Sequence, residues 1–98
     1  MTEKEEKIEK KIDKLLRKKF GELIKTSRED KKYTRESLAS KLGELGVSIS
    51  DQAIKSYEYK NRIPPLARMI AIFISMDLEP QSLTDMIIEI FNEIQKEM

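Results

Sequence analysis

The strongest constraint on this chain is local and lies in residues 34–58, TRESLASKLGELGVSISDQAIKSYE, where two short helical patterns flank a glycine-containing turn. Thr34 precedes an apolar set, Leu38, Ala39, Leu42 and Leu45, whose spacing fits one face of a helix, which places Thr34 as its N-cap. Gly46 follows Leu45 and is able to take the positive φ that closes a helix. Ser50 offers a second N-cap, Asp51 puts a negative charge in the first turn after it, and Ala53, Ile54 and Tyr57 form the next inward face. Asp51, Gln52, Lys55 and Ser56 are left facing outward. Two helices capped at this spacing predict a helix-turn-helix, the motif that lays its second helix in the major groove of DNA.

The rest of the chain has to bury those two inward faces. It has 98 residues, which predicts one small domain over 1–98 with a modest core, no internal repeat and no linker. Neither cysteine nor histidine occurs, so disulfides, thiolate and imidazole metal sites, cysteine nucleophiles and any Ser-His triad are all excluded. Catalysis would fall to carboxylates such as Glu5, Glu6 and Glu9, which are more simply solvated helix positions; no enzyme, cofactor or metal is expected. Charged residues make up 38% of the chain while the net charge is only +1, so affinity for nucleic acid depends on where the cations sit. No apolar run approaches a membrane span, and the N-terminal TEKEEKIEKK lacks the apolar core of a signal peptide; a cytoplasmic location is expected. Few Gly and Pro among many Lys, Glu, Leu and Ile favour an all-α fold.

In chain order, Thr2 and Glu5 have the spacing of a capping box, predicting a helix from close to the N-terminus to about residue 30. Ile8, Ile12, Leu15, Leu16, Phe20, Leu23 and Ile24 make its apolar stripe. Residues 1–19 form a charged amphipathic extension, whose lysines and glutamates read as a solvated face with i,i+4 pairs rather than a DNA contact. The segment Ile8–Leu16 needs cover from a partner chain or from the C-terminal helix. Arg28, Lys31 and Lys32 fit equally a helix C-terminus and a nearby phosphate backbone.

After the second helix, YKNRIPPL is read as a loop in which Asn61 tolerates left-handed geometry and the paired prolines forbid helix. Lys60, Asn61 and Arg62 set two cations and an amide directly after the groove helix. Pro65 is expected in the first turn of a core helix carrying Leu66, Met69, Ile70, Ile72, Phe73 and Met76. Ser82 is expected to cap a last helix over 79–98 whose stripe is Leu83, Met86, Ile87, Ile90, Phe91, Ile94 and Met98. Residues 81–98 hold four acids and one cation, whereas residues 1–20 hold eight cations and five acids, so the terminal helices attract each other within or between chains.

Gly21, Leu23, Ile24 and Arg28, then Thr34, Leu38, Ala39, Leu42 and Gly43, then Ser50, Ile54 and Glu58, the Arg62–Pro64 loop, and Leu66, Ile70 and Ile72 follow one another in an order that resembles the Xre, or lambda-repressor-like, family of helix-turn-helix regulators, which includes phage repressors and Cro. The resemblance covers 20–78 and implies a five-helix all-α domain, here with an extended N-terminal helix and an apolar C-terminal helix. It implies base reading by Asp51, Gln52 and Ser56 with Lys55 beside them, and phosphate contact at Arg35, where the family commonly has glutamine. Thr34, Lys60, Asn61 and Arg62 are the further phosphate candidates. Double-stranded DNA bound by a homodimer that pairs through Leu83, Ile87, Ile90, Phe91 and Ile94 is the leading expectation. The alternative is a protein-interaction module, such as an antitoxin of the same fold, that holds a partner protein with its terminal helices.

Overall fold

A computed structural model of the chain describes residues 3–98, with side chains from Lys7 onward. These residues form five helices and no strand: α1 (Glu3–Asp30), α2 (Arg35–Glu44), α3 (Asp51–Glu58), α4 (Leu66–Ser75) and α5 (Pro80–Glu97). The Thr2–Glu5 capping box lies outside the described residues.

The two central caps form as their hydroxyls dictate. Thr34 Oγ1 accepts the Ser37 N–H at 3.0 Å and Ser50 Oγ accepts the Ala53 N–H at 3.1 Å, each satisfying one of the donors a helix start leaves unpaired. Gly46 takes φ +79° at the end of α2, and the Val47 N–H returns to Leu42 O at 2.9 Å, which closes the helix carbonyls. Leu45 is the cap residue of that turn and is 52% exposed, correcting its placement on the inward face; Val47 and Ile49 turn inward after it.

The same closure recurs after α3, with an unexpected residue in the left-handed position. Lys60, not Asn61, has φ +66°, because α3 ends at Glu58 and the Asn61 N–H must reach back to Ser56 O at 3.0 Å. The hydrogen-bond register of the helix end, rather than asparagine's tolerance, sets which residue turns. Pro65 precedes α4 instead of occupying its first turn, and Ser82 does not cap α5: Pro80 at the first helical positions starts that helix, and the Ser82 N–H already bonds Glu79 O.

The core is built where α1 crosses the helix-turn-helix. Phe20, Ile24, Leu38, Leu42, Ile54, Ile72 and Met76 are fully buried, with α1 on α3, and α2 on α3 and α4. Phe20 stands between the rings of Tyr57, edge-on at 6.3 Å, and Phe73, stacked at 6.1 Å. Met69 and Met76 fill this core. Leu66 and Ile70 remain exposed, contrary to the wide buried face expected of α4, because α5 lies against α1 and leaves that flank of α4 uncovered.

At about 1.5 Å per residue the 28 residues of α1 span the long dimension of the domain, 43 Å. α5 runs antiparallel to it, since Lys11 pairs with Glu97 at 2.6 Å while Lys19 pairs with Glu93 at 3.0 Å and Glu89 at 3.2 Å. The opposite charges of the terminal helices therefore meet within one chain. Glu93 above all holds the Lys19 ammonium above the usual lysine range, with Glu89 adding to it against partial burial. Met86, Ile90 and Ile94 close over Ile8, Ile12, Leu15 and Leu16, which are half-buried, so α5 supplies the cover that the N-terminal stripe requires. No described helix is long and apolar enough to cross a membrane.

Candidate nucleic-acid interface

The site begins with how α3 is held. Glu58 ends that helix with a side chain that has no solvent exposure, a position a carboxylate occupies only when its charge is matched. Arg28 of α1 grips it with two bonds, Nε at 2.7 Å and Nη2 at 3.0 Å, and gives Nη1 to Tyr33 O at 2.8 Å. Arg35 of α2 adds Nε at 3.2 Å and Nη2 at 3.1 Å. One buried carboxylate thus ties together α1, α2 and α3. The hydrogen bonds that Arg28 donates to Glu58 hold its guanidinium above the ordinary arginine value in spite of its burial. Arg28, which sequence left open between helix dipole and phosphate, turns inward to this pairing.

Gly21 completes the seat. A Cβ there would lie 2.5 Å from Tyr57 O and 3.2 Å from Glu58 O, so the end of α3 rests on the bare backbone of α1 and only glycine permits the approach.

With α3 fixed, its outer face and the start of α2 line one groove that contains Thr34, Arg35, Asp51, Gln52 and Lys55, together with Lys32 and the carboxylates Glu29 and Glu36. Three of the expected base readers are thereby brought beside two of the expected phosphate contacts; Ser56 lies half-exposed on α3 outside that lining. Gln52 and Lys55 are exposed, and Asp51 is half-buried in the first turn of α3, where the cap bond is made by Ser50 and the carboxylate contributes only charge. The Thr34 hydroxyl accepts from Ser37 and keeps its own proton to donate. Arg35 commits two nitrogens to Glu58, leaving Nη1 without a partner among the described residues.

Two features were not legible in the sequence. Tyr59, 55% exposed, lies under both Arg35 and Lys55, each 5.6 Å from its ring centroid, and so orients two cations on the groove side. The Arg62 guanidinium likewise lies 5.5 Å from the ring of Tyr57. A tyrosine directly after α3 was the available signal, but which cations stack on it depends on the crossing of α2 over α3. Lys60 and Asn61 are exposed on the same loop.

The proposed pairing surface divides. Ile90 and Ile94 are buried against α1 of their own chain and Leu83 is half-buried, whereas Ile87 and Phe91 are 40% and 63% exposed. The chain matches no protein-family model, no curated protein and no solved structure.

Proposed function

We propose that this chain is a sequence-specific DNA-binding regulator with a lambda-repressor-like fold, a binding protein rather than an enzyme, that lays α3 in the major groove. The observation that carries this is the groove in which Gln52 and Lys55 stand exposed on a capped, braced helix beside Thr34 and Arg35. Gln52 supplies an amide suited to bidentate contact with adenine, and Lys60, Asn61 and Arg62 approach phosphates at the end of the same helix. Two copies paired through Ile87 and Phe91 would read related half-sites. The same exposed residues, with Ile88 and Ile74, favour the second reading of a protein-binding module, and light scattering on the purified chain separates a self-dimer from a monomer awaiting a partner.

The direct test is selection of duplexes from a random pool followed by fluorescence titration. A preferred sequence is expected, bound less tightly as salt rises; absence of binding to any duplex at low salt eliminates the reading. Gln52→Ala is expected to lose about 1–3 kcal/mol of discrimination at one base pair, while Arg62→Ala weakens all sequences alike and lowers the salt slope by about 0.9.

Lys60 provides a separate check, because its left-handed backbone is costly for any residue with a Cβ. Lys60→Gly is expected to raise stability by about 0.5–1 kcal/mol, since the exposed Lys60–Glu22 pair at 3.4 Å contributes little, yet to weaken duplex binding. A variant that is both more stable and equally tight would remove Lys60 from the interface.

A further inference from the structure

One face of α1 is defined by its contacts with α3. Gly21 and Arg28, seven residues apart, both point at the C-terminal end of α3, the first against Tyr57 O and the second into Glu58. Residues three, four and seven positions from Gly21 share that face. Of these, Ile24 is buried in the core and Arg17 is half-buried, while Lys14 and Lys18 before Gly21 and Lys25 between the two contacts are exposed. Among the described residues none of the three lysines forms an ion pair, although Lys14 and Lys18 share a groove with Glu93 and Glu97 of α5, whereas Lys11 and Lys19 are paired directly with Glu97, Glu93 and Glu89, and Arg17 with Asp13.

This row joins the loop that follows α3. The Lys60 Cγ comes within 3.4 Å of the Gly21 Cβ position, so the Lys60–Arg62 loop touches α1 in the middle of its lysine row. From Lys14 to Lys25 the row is about 17 Å long at 1.5 Å per residue. Over that length a duplex presents about ten phosphates, one per 1.7 Å of axis. The apolar face of α1 is occupied by the core, which leaves this helix nothing to insert into a lipid surface.

Building on the reading of α3 as the groove helix, we infer that Lys14, Lys18 and Lys25 form a second nucleic-acid surface that grips the phosphate backbone of duplex DNA outside the segment α3 reads. This face of α1 is then a clamp that lengthens the footprint without adding base specificity. Its cations act through counterion release, which depends on phosphate spacing and not on base identity.

The test compares the full chain on its selected site carrying about ten base pairs of arbitrary flank with the same site trimmed to the segment read by α3. For the natural chain the flanked duplex is expected to bind up to about 100-fold tighter at 0.15 M salt and with a salt slope steeper by about 2–3, as three added phosphate contacts require. In Lys14→Gln/Lys18→Gln/Lys25→Gln that advantage disappears while affinity for the trimmed site is unchanged. Equal binding of both duplexes by the natural chain, or a variant that keeps the full flank advantage, overturns the inference and leaves the α3 reading standing. Failure to bind either duplex removes both. The comparison of the two duplexes with the natural chain needs no variant, so it holds whatever the substitutions do to folding.

Discussion

Glu58→Ala lowers the unfolding free energy by about 3–5 kcal/mol, the range found when one partner of a buried ion pair is removed and the other charge stays behind. Two arginines are left facing an empty site, and Arg28, with a side chain only 11% exposed, has little access to water as a substitute. Arg35 is 28% exposed and rotates outward at smaller cost. For a domain of this size each kcal/mol displaces the melting temperature by about 4–8 °C, so thermal unfolding followed by circular dichroism reads the effect directly. Arg28→Met/Glu58→Met recovers most of the loss, because the most buried pair of the cluster is then replaced by apolar side chains of similar volume, which is often neutral, while the more exposed Arg35 turns to water. A single-variant loss below about 1 kcal/mol would falsify the claim that Glu58 is desolvated. Because Glu58 joins α1, α2 and α3, and α3 is the proposed DNA-binding helix, the residual folded fraction of Glu58→Ala is also expected to lose duplex affinity.

Phe20→Ala is the second large effect, about 3–5 kcal/mol, and it arises from packing instead of charge. The ring has no exposure and touches both Tyr57 of α3 and Phe73 of α4, so its removal opens a cavity that neither neighbour closes without tilting its helix. Total stabilities of small domains are about 5–15 kcal/mol, which puts this variant near the unfolding threshold. Urea titration with an unchanged dependence on denaturant and a lower midpoint is the expected record. A loss under about 1.5 kcal/mol would mean that the site collapses around the missing ring.

The two variants separate contributions that the helix-turn-helix combines. Phe20 sets how far α3 and α4 stand from α1, whereas Glu58 sets the rotation of α3 about its own axis, and both must be right for Gln52 and Lys55 to present themselves in the groove.

What the chain wrote locally is what short-range physics decides. The caps at Thr34 and Ser50, the turn at Gly46 and the five helical segments follow from side-chain hydroxyls, a permitted positive φ and a 3.6-residue apolar period, all confined to a few neighbouring residues. The outward placement of Gln52 and Lys55 was legible for the same reason: they are the positions left over once Ile54 and Tyr57 turn inward. Tertiary structure decided the rest. Apolar periodicity marks a face without naming its cover, so only the antiparallel packing of α5 on α1 shows that Ile90 and Ile94 are buried within the chain while Ile87 and Phe91 are not. Likewise no local signal marks Glu58, an acid at the end of a short helix, as buried until Arg28, thirty residues earlier, is folded against it. A buried charge is defined by its partners, and those partners meet only when the crossing of α1 over α3 at Gly21 brings them within 3 Å.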